Sequence, residues 1–289
     1  MLPRLLLVVA SFYGAGALLM VLQRRSGTGT RTAWRKYATY GLFLTAMLIV
    51  TALGPAVFAL AVLGTIGAAL AELAGAAGLP PGARVATTVA GLAIAVAALR
   101  GGVGLLYPVA IGLALVTLVA GALARDARRG AREALWGVTA LVGVATPGAH
   151  LLLLAAMPGR LALFAFLFLV VCCADAFAEL IGRRWPLGRG FLPVSPGKSV
   201  GGLLGGTAAA VAMALAVATA TALWTPGRAM LYGLALALAA TMGDLVASSL
   251  KRAVGVKDFG TALADHGGVL DRFDSLLFAA CPFYWMALR

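Results

Sequence analysis

Charged residues are scarce in this sequence. Only 11% of its 289 residues are Asp, Glu, Lys or Arg, whereas 62% are hydrophobic. A soluble domain carries about 25% charged residues, so composition excludes a soluble enzyme and a disordered tail. The three cysteines offer neither an even framework nor a metal-binding spacing, which excludes a disulfide scaffold. The apolar runs are continuous rather than alternating, which excludes a membrane β-barrel. An all-α polytopic membrane protein remains.

Apolar runs of about 20 residues, the length that crosses a bilayer, predict ten helices. They are placed near 4–22, 40–53, 56–77, 84–99, 102–123, 134–156, 160–181, 199–223, 228–250 and 269–287. The segment 40–77 is either one long tilted helix or two short helices broken at Gly54-Pro55. The first apolar run ends in Arg24-Arg25 rather than in a cleavage site, which predicts a retained span.

Basic residues decide between the two interpretations of 40–77. The net charge is +13, and Lys and Arg collect in cytoplasmic loops. The basic clusters at 24–36, 125–132 and 183–198 fall on one side only if 40–77 crosses twice. We therefore expect about ten crossings (nine to ten), two of them short, in a single membrane domain over 1–289 with both termini outside. The basic excess is explained by loops, anionic headgroups and phosphates, so no nucleic acid is expected as a partner.

Acidic residues are even rarer, and they are concentrated late in the chain. Only ten exist, and seven lie between Asp175 and Asp274. A carboxylate at membrane depth needs a partner or a cavity. This distribution predicts a site within 175–275.

Asp244 stands near the end of one predicted span, and Asp271 and Asp274 share a face at the start of the next. Hard carboxylates that converge from neighbouring helices are typical of a Mg²⁺ site that also borrows phosphate oxygens from a substrate. Gly267-Gly268 precedes the second helix, so backbone N–H groups there could approach an anion. Positive charge for phosphates would come from Lys251, Arg252, Lys257 and Arg272. These features suit phosphoryl or nucleotidyl transfer.

Structural alternatives exist for each of these residues. Asp271 and Asp274 could be helix-dipole acids paired with Arg272 and Lys251. Lys251-Arg252 could be flanking positive charge, and His266 could be a loop histidine with no role.

Further alternatives concern the remaining acids and the protein class. Asp175 and Glu179 either line the polar cavity or pair with Arg183 or Arg184. An ion-coupled transporter could use Asp244 and Asp271, but it does not need His-Gly-Gly flanked by basic clusters, and no internal repeat is visible.

The polar residues follow a recognisable order. Ser248, Lys251-Arg252, Lys257-Asp258, His266-Gly267-Gly268 and Asp271-Arg272-Phe273-Asp274 stand in sequence. This pattern resembles the signature of the CDP-diacylglycerol synthases (phosphatidate cytidylyltransferases). A second block, from Asp175 to Gly206 with Ser195-Pro196-Gly197-Lys198, looks like the family's other polar loop. Departures are Ala247, where the family usually has Glu, Gly201, where it has Glu or Gln, and Ala264, where it has Pro.

The resemblance implies transfer of a cytidylyl group from CTP to phosphatidate, giving CDP-diacylglycerol and pyrophosphate for phospholipid biosynthesis. It implies Mg²⁺ bound by Asp244 and Asp271, with a second cation as a further expectation. The implied catalytic residues are Lys251, Arg252, His266 and Asp274, and the implied substrate contacts are Ser195, Lys198, Ser248, Lys257, Gly267, Gly268 and Arg272. The expected setting is a bacterial inner membrane, with the site facing the cytoplasm, membrane lipids around it and a homodimer as the assembly. Because of the departures, a nucleotidyltransferase for another lipid phosphate, of an isoprenoid or an ether lipid, is the alternative.

Overall fold

The computed structural model describes residues 2–25, 41–42, 45–261 and 267–289, and every regular element within these ranges is helical. The helices are α1 (Leu2–Arg25), α2 (45–53), α3 (Pro55–Ala76), α4 (Pro81–Ala122), α5 (Ala127–Ala140), α6 (Thr146–Ala155), α7 (Arg160–Arg184), α8 (Val200–Thr221), α9 (Pro226–Ala253) and α10 (Leu270–Ala287). A π-helical turn at Leu141–Ala145 joins α5 to α6, so Ala127–Ala155 is one continuous helix.

Six helices in the described part of the chain are long and apolar enough to cross a membrane. They are Pro55–Ala76, Pro81–Ala122, Ala127–Ala155, Arg160–Arg184, Val200–Thr221 and Pro226–Ala253. The expectation of a polytopic helical membrane protein is confirmed. The expected count of about ten is not reached by these six. Helix α10 is less apolar because three of its first five residues, Asp271, Arg272 and Asp274, are charged.

Helix α4 is folded back on itself. Its φ/ψ angles leave the helical region at Gly101 and Gly102. Thr87 Oγ1 and Thr117 Cγ2 lie 3.7 and 2.8 Å from the same point, the position where a Cβ atom would stand on Gly137. A straight helix would hold these two threonines about 45 Å apart. The arms 81–100 and 103–122 are therefore antiparallel neighbours, each about 30 Å long, as the predicted break between 99 and 102 requires.

Helix α5 begins at Ala127, seven residues before the predicted span 134–156. The Asp126 side chain accepts hydrogen bonds from the backbone N–H groups of Arg128 and Arg129, at 3.0 and 3.1 Å. Asp is a favoured N-cap residue because it satisfies amides that have no partner within the helix. The predicted span begins later than the helix because the basic residues after Asp126 are typical of a loop.

Helix α7 forms the centre of the fold, and its residues 162–171 are all buried. Small residues bring its neighbour α8 into backbone contact, since a Cβ on Gly202 would stand 2.6 Å from the Ala178 carbonyl oxygen. Gly243 on α9 likewise faces α10, with the Asp274 carbonyl oxygen 2.9 Å from its Cβ position. Such close approach is typical of helix packing in membranes. It sets Asp244 on α9 beside Asp274 on α10.

The helix ends divide into two groups. At one end, Arg132 donates to the carbonyl oxygen of Ala77, so the start of α5 lies beside the end of α3. At the opposite end, Arg228 donates to the carbonyl oxygen of Arg289, so the start of α9 lies beside the end of α10. The first group holds the polar residues described next, and we call it the site end.

Candidate active site

One face of α9 carries three of the predicted site residues. Asp244, Ser248 and Lys251 are spaced at i, i+4 and i+7, which places them on the same side of the helix. Two residues after the last helical residue, Gly255 adopts φ +75°. The Val256 amide donates to the Lys251 carbonyl oxygen at 2.9 Å. A glycine in this left-handed position ends the helix and directs the chain toward α10.

The first acid–base pair joins α9 to the turn before α8. Lys198 Nζ lies 2.6 Å from Asp244 Oδ2, and the two side chains are 26% and 37% exposed. The Lys198 amide donates to the Ser195 carbonyl oxygen at 3.0 Å, which closes the predicted Ser195–Lys198 turn. Ser199 is buried and caps α8 by accepting from the Gly202 amide at 3.0 Å. The turn and the cap together fix Lys198 over Asp244 in a place that a substrate can reach.

The second acid–base pair joins α9 to α10. Lys251 Nζ lies 2.9 Å from Asp271 Oδ1, and the two side chains are only 14% and 2% exposed. Asp271 Oδ2 accepts two backbone hydrogen bonds, from Phe259 at 2.8 Å and from Gly268 at 2.9 Å. Lys251 Nζ also stands 5.5 Å from the centroid of the Phe259 ring. One buried carboxylate therefore holds Lys251 and the two residues that flank the segment 260–267.

Two further acids lie beside Asp244. The Ser275 hydroxyl donates to Asp175 on α7, and the Ser275 amide donates to Asp274 Oδ1 at 2.7 Å. Asp244 acts electrostatically on both Asp175 and Asp274. Carboxylates from α7, α9 and α10 thus converge, with Lys198 and Lys251 as the nearby positive charges. Mutual repulsion in such a group favours a bound cation.

The fit of a metal ion can be tested on these donors. Within the described residues, no three His, Cys, Asp or Glu side chains are close enough to enclose an ion. Mg²⁺ does not need such an enclosure, because it is commonly held by one or two carboxylates together with substrate phosphates. Asp244, half-buried among other acids, suits this role. Asp271 would have to release Lys251 or a backbone amide first, since both of its oxygens are engaged.

Glu72 on α3 belongs to the candidate site as well, although no role is predicted for it from the sequence. Its two carboxylate oxygens accept from the amides of Val269 and Leu270, each at 2.9 Å. A lone acid in an apolar helix is a signal that could have attracted attention. Its partners lie almost two hundred residues later in the chain, so no local pattern identifies them.

The glycine pair stands where the anion site was expected, but its surroundings differ. Gly267 adopts φ +75°, and its Cβ position lies 3.0 Å from Asp271 Oδ2 and 3.2 Å from Asp258 Oδ1. The Gly268 amide donates a hydrogen bond to Asp271, and the next two amides donate to Glu72. In this arrangement the protein's own carboxylates occupy the amides that were predicted for a phosphate.

The other predicted residues surround the two pairs. Arg252 and Lys257 are exposed at the end of α9 and after it, whereas Ser248 on α9 and Arg272 on α10 are half-buried. His266, predicted as catalytic, lies outside the described residues, as does Ala264. The catalytic roles of His266 and Arg252 stay predictions, as do the substrate contacts of the other residues.

Residues that differ from the expected pattern lie in close packing. Glu179 pairs with Arg183, which is the simpler of its two interpretations. A Cβ on Gly201 would stand 2.6 Å from the Trp185 carbonyl oxygen, so this chain has no room for the side chain expected there. Ala247 is buried in the core.

Comparison with known proteins identifies relatives of the chain. A family model described as "Cytidylyltransferase family" matches residues 34–289. "Uncharacterized protein YnbB" of Escherichia coli K12 is 34% identical over 152 residues, 52% of this chain and 51% of that protein. A "Phosphatidate cytidylyltransferase" of Helicobacter pylori strain 26695 is 40% identical over 116 residues, 40% of this chain and 43% of that protein. One of Bacillus subtilis strain 168 is 37% identical over 120 residues, 41% and 44% of the two chains. The chain therefore spans about half the length, or less, of these curated relatives.

Proposed function

The chain belongs to the cytidylyltransferase family, and from this premise we propose that it transfers a cytidylyl group from CTP to phosphatidate. The products would be CDP-diacylglycerol and pyrophosphate, for phospholipid biosynthesis. The observation that carries the proposal is the meeting of two lysine–aspartate pairs, Lys198–Asp244 and Lys251–Asp271, at one end of a membrane protein. Relatives named as phosphatidate cytidylyltransferases support the choice of substrates.

The chemistry requires charge management more than proton transfer. An oxygen of the lipid phosphate attacks the α-phosphorus of CTP, a P–O bond forms, and the bond from that phosphorus to the pyrophosphate oxygen breaks. The second pKa of a phosphate monoester is about 6, so the nucleophile is already ionised and needs no strong base. The protein must instead bring two polyanions together and hold them in line.

Lysines that are paired with aspartates can serve this purpose. Lys198 and Lys251 each offer N–H groups beyond the one directed at a carboxylate, and phosphate oxygens would receive them. Arg252, Lys257 and Arg272 would add positive charge from the rim of the site. Asp274 would orient one of these groups.

We further propose that Mg²⁺ takes part, held by Asp244 and, once its present hydrogen bonds are exchanged, by Asp271. The acids Asp175 and Asp274 next to Asp244 support a site with affinity for a hard cation, and a second cation is part of the proposal. When bound, the ion would neutralise phosphate charge and stabilise charge that develops at the α-phosphorus.

The proposed topology places the site end in the cytoplasm of a bacterial cell, at the inner membrane. Basic residues at 125–132 and 183–198 lie at the site end, as positive loops on the cytoplasmic side would. Counting the arms of α4 separately and adding α1, α2 and α10 to the six spans gives ten crossings. Both termini would then be opposite the site, which agrees with Arg4 beside Thr219 and with the Arg228–Arg289 contact. A homodimer stays a prediction.

The test is incubation of purified protein with radiolabelled CTP, Mg²⁺ and a panel of lipid phosphates, with lipid products separated by chromatography. We expect a labelled lipid product formed from phosphatidate, and we expect Asp244→Asn to abolish its formation. Glu133→Gln is the matched control, because Glu133 is an acid whose described partner, Arg129, lies on the same helix and outside both lysine–aspartate pairs. Absence of label in every lipid, with folded protein, would refute nucleotidyl transfer.

A second candidate keeps the chemistry and changes the lipid. It is favoured by Gly201, where close packing against the Trp185 carbonyl oxygen excludes the Glu or Gln of the expected pattern. A labelled product formed from an isoprenoid phosphate or an ether-lipid phosphate, and none formed from phosphatidate, would favour this candidate.

A further inference from the structure

We infer that Glu72 is a positioning residue of the transferase site, an inference that rests on the proposed function. It fixes the N-terminus of α10 and the flanks of the segment that precedes it. Through α10, Glu72 determines where Asp271 and Asp274 stand relative to α9.

The amides at the start of α10 depend on partners outside that helix. The first N–H groups of a helix have no partner within the helix. Val269, at the N-cap position, provides no side-chain cap. Glu72 supplies it from another helix, with one carboxylate oxygen for Val269 and the other for Leu270. Its negative charge also opposes the positive end of the α10 dipole.

Two glycines, Gly260 and Gly268, flank the segment 261–267 and face Glu72. A Cβ on Gly260 would stand 2.6 Å from Glu72 Oε1, and a Cβ on Gly268 would collide with Glu72 Oε2. Neither glycine has a positive φ, so contact with Glu72, rather than backbone conformation, excludes a side chain at both. The carboxylate of Glu72 therefore fills the space between the two flanks.

The Glu72 contact acts on the proposed chemistry through residues that Asp271 holds. Asp271 Oδ2 accepts hydrogen bonds from Phe259, which precedes Gly260, and from Gly268. Loss of Glu72 would release α10 at its first turn. The Lys251–Asp271 pair would then lose its fixed geometry, and Asp274 would shift with it.

The experiment compares Glu72→Ala and Glu72→Gln with the control Glu133→Gln. Gln keeps the size of the side chain, but its NH₂ group would face one of the two amides as a second donor. We expect kcat to fall about 10- to 100-fold, the range found when a residue that orients catalytic ligands is lost, and the control to keep wild-type kcat. Hydrogen exchange of the Val269 and Leu270 amides should accelerate in Glu72→Ala.

A double-mutant cycle separates positioning from general destabilisation. Gly260→Ala alone should lower kcat, because the new methyl group displaces the Glu72 carboxylate. In the Glu72→Ala background the same substitution should cause little further loss, whereas independent effects would multiply.

Unchanged exchange at residues 269 and 270 in Glu72→Ala would overturn the inference, and so would a wild-type kcat in Glu72→Gln. If the wild-type protein transfers no label from CTP, the proposed function fails, while the exchange measurement still reports on the Glu72 contact.

Discussion

The substitution Asp271→Asn should reduce both stability and activity. Asp271 is 2% exposed and Lys251 14% exposed, and the ammonium group loses its only described carboxylate partner when the charge is removed. Breaking one partner of a buried ion pair costs about 3–5 kcal/mol. Asn also turns a donor toward Lys251 or toward one of the amides of Phe259 and Gly268. We expect a free energy of unfolding lower by about 3–5 kcal/mol, together with loss of transfer.

The matched variant is Asp244→Asn. Its pair with Lys198 is 37% and 26% exposed, and exposed ion pairs contribute about 0–1 kcal/mol. Stability should therefore change little. Turnover should fall by on the order of 10³-fold, because the carboxylate proposed to hold a cation beside two polyanions is lost.

Both variants are assayed in one detergent, by thermal unfolding and by transfer of radiolabel from CTP. A wild-type melting temperature for Asp271→Asn would show that its three hydrogen bonds do not stabilise the fold. Wild-type turnover for Asp244→Asn would refute the assignment of the site. If Asp271 only stabilised the helix dipole, Asp271→Asn would lower the free energy of unfolding by about 1 kcal/mol or less and activity would be retained.

Three further outcomes follow from the structure. Chelation by excess EDTA should abolish transfer and added Mg²⁺ should restore it, so full turnover in EDTA would remove the metal from the proposal. A cysteine introduced by Arg189→Cys in intact cells should react with an impermeant reagent only after permeabilisation, since residue 189 is exposed at the site end; immediate labelling would invert the topology. Gly243→Ala should destabilise the protein by about 1–3 kcal/mol through overpacking and lower kcat, because its Cβ would stand 2.7 Å from Phe278 Cβ and 2.9 Å from the Asp274 carbonyl oxygen. Gly227→Ala, with no atom within 4 Å, is its control on the same helix and should leave both unchanged.

Much of the fold follows from patterns that are local in sequence. Long apolar runs predict the spans because a bilayer demands them. The predicted break between 99 and 102 coincides with Gly101-Gly102, where the φ/ψ angles leave the helical region. The start of α5 was missed, since a polar cap followed by arginines looks like a loop until the capping contact is seen. The number of crossings was harder to predict. It depends on α1, α2 and α10, which are not among the six candidate spans of the described residues.

The sequence names charged residues of the candidate site but not the contacts between them. Asp244 and Asp271 were each expected at a metal, whereas the structure pairs each with a lysine, one of them from a turn more than forty residues away. The amides before α10 were expected to face a substrate, and they face Glu72 and Asp271 instead. Side-chain pairings across helices depend on packing angles, which no periodicity in the sequence specifies.

The two hydrogen bonds to Asp271 Oδ2 have an evolutionary consequence. Phe259 and Gly268 are held by one oxygen atom, so the two positions that flank residues 260–267 stay together only while residue 271 is an acid. A descendant of this protein that had lost catalysis would therefore still be under selection to keep Asp271, because the same carboxylate holds the chain together.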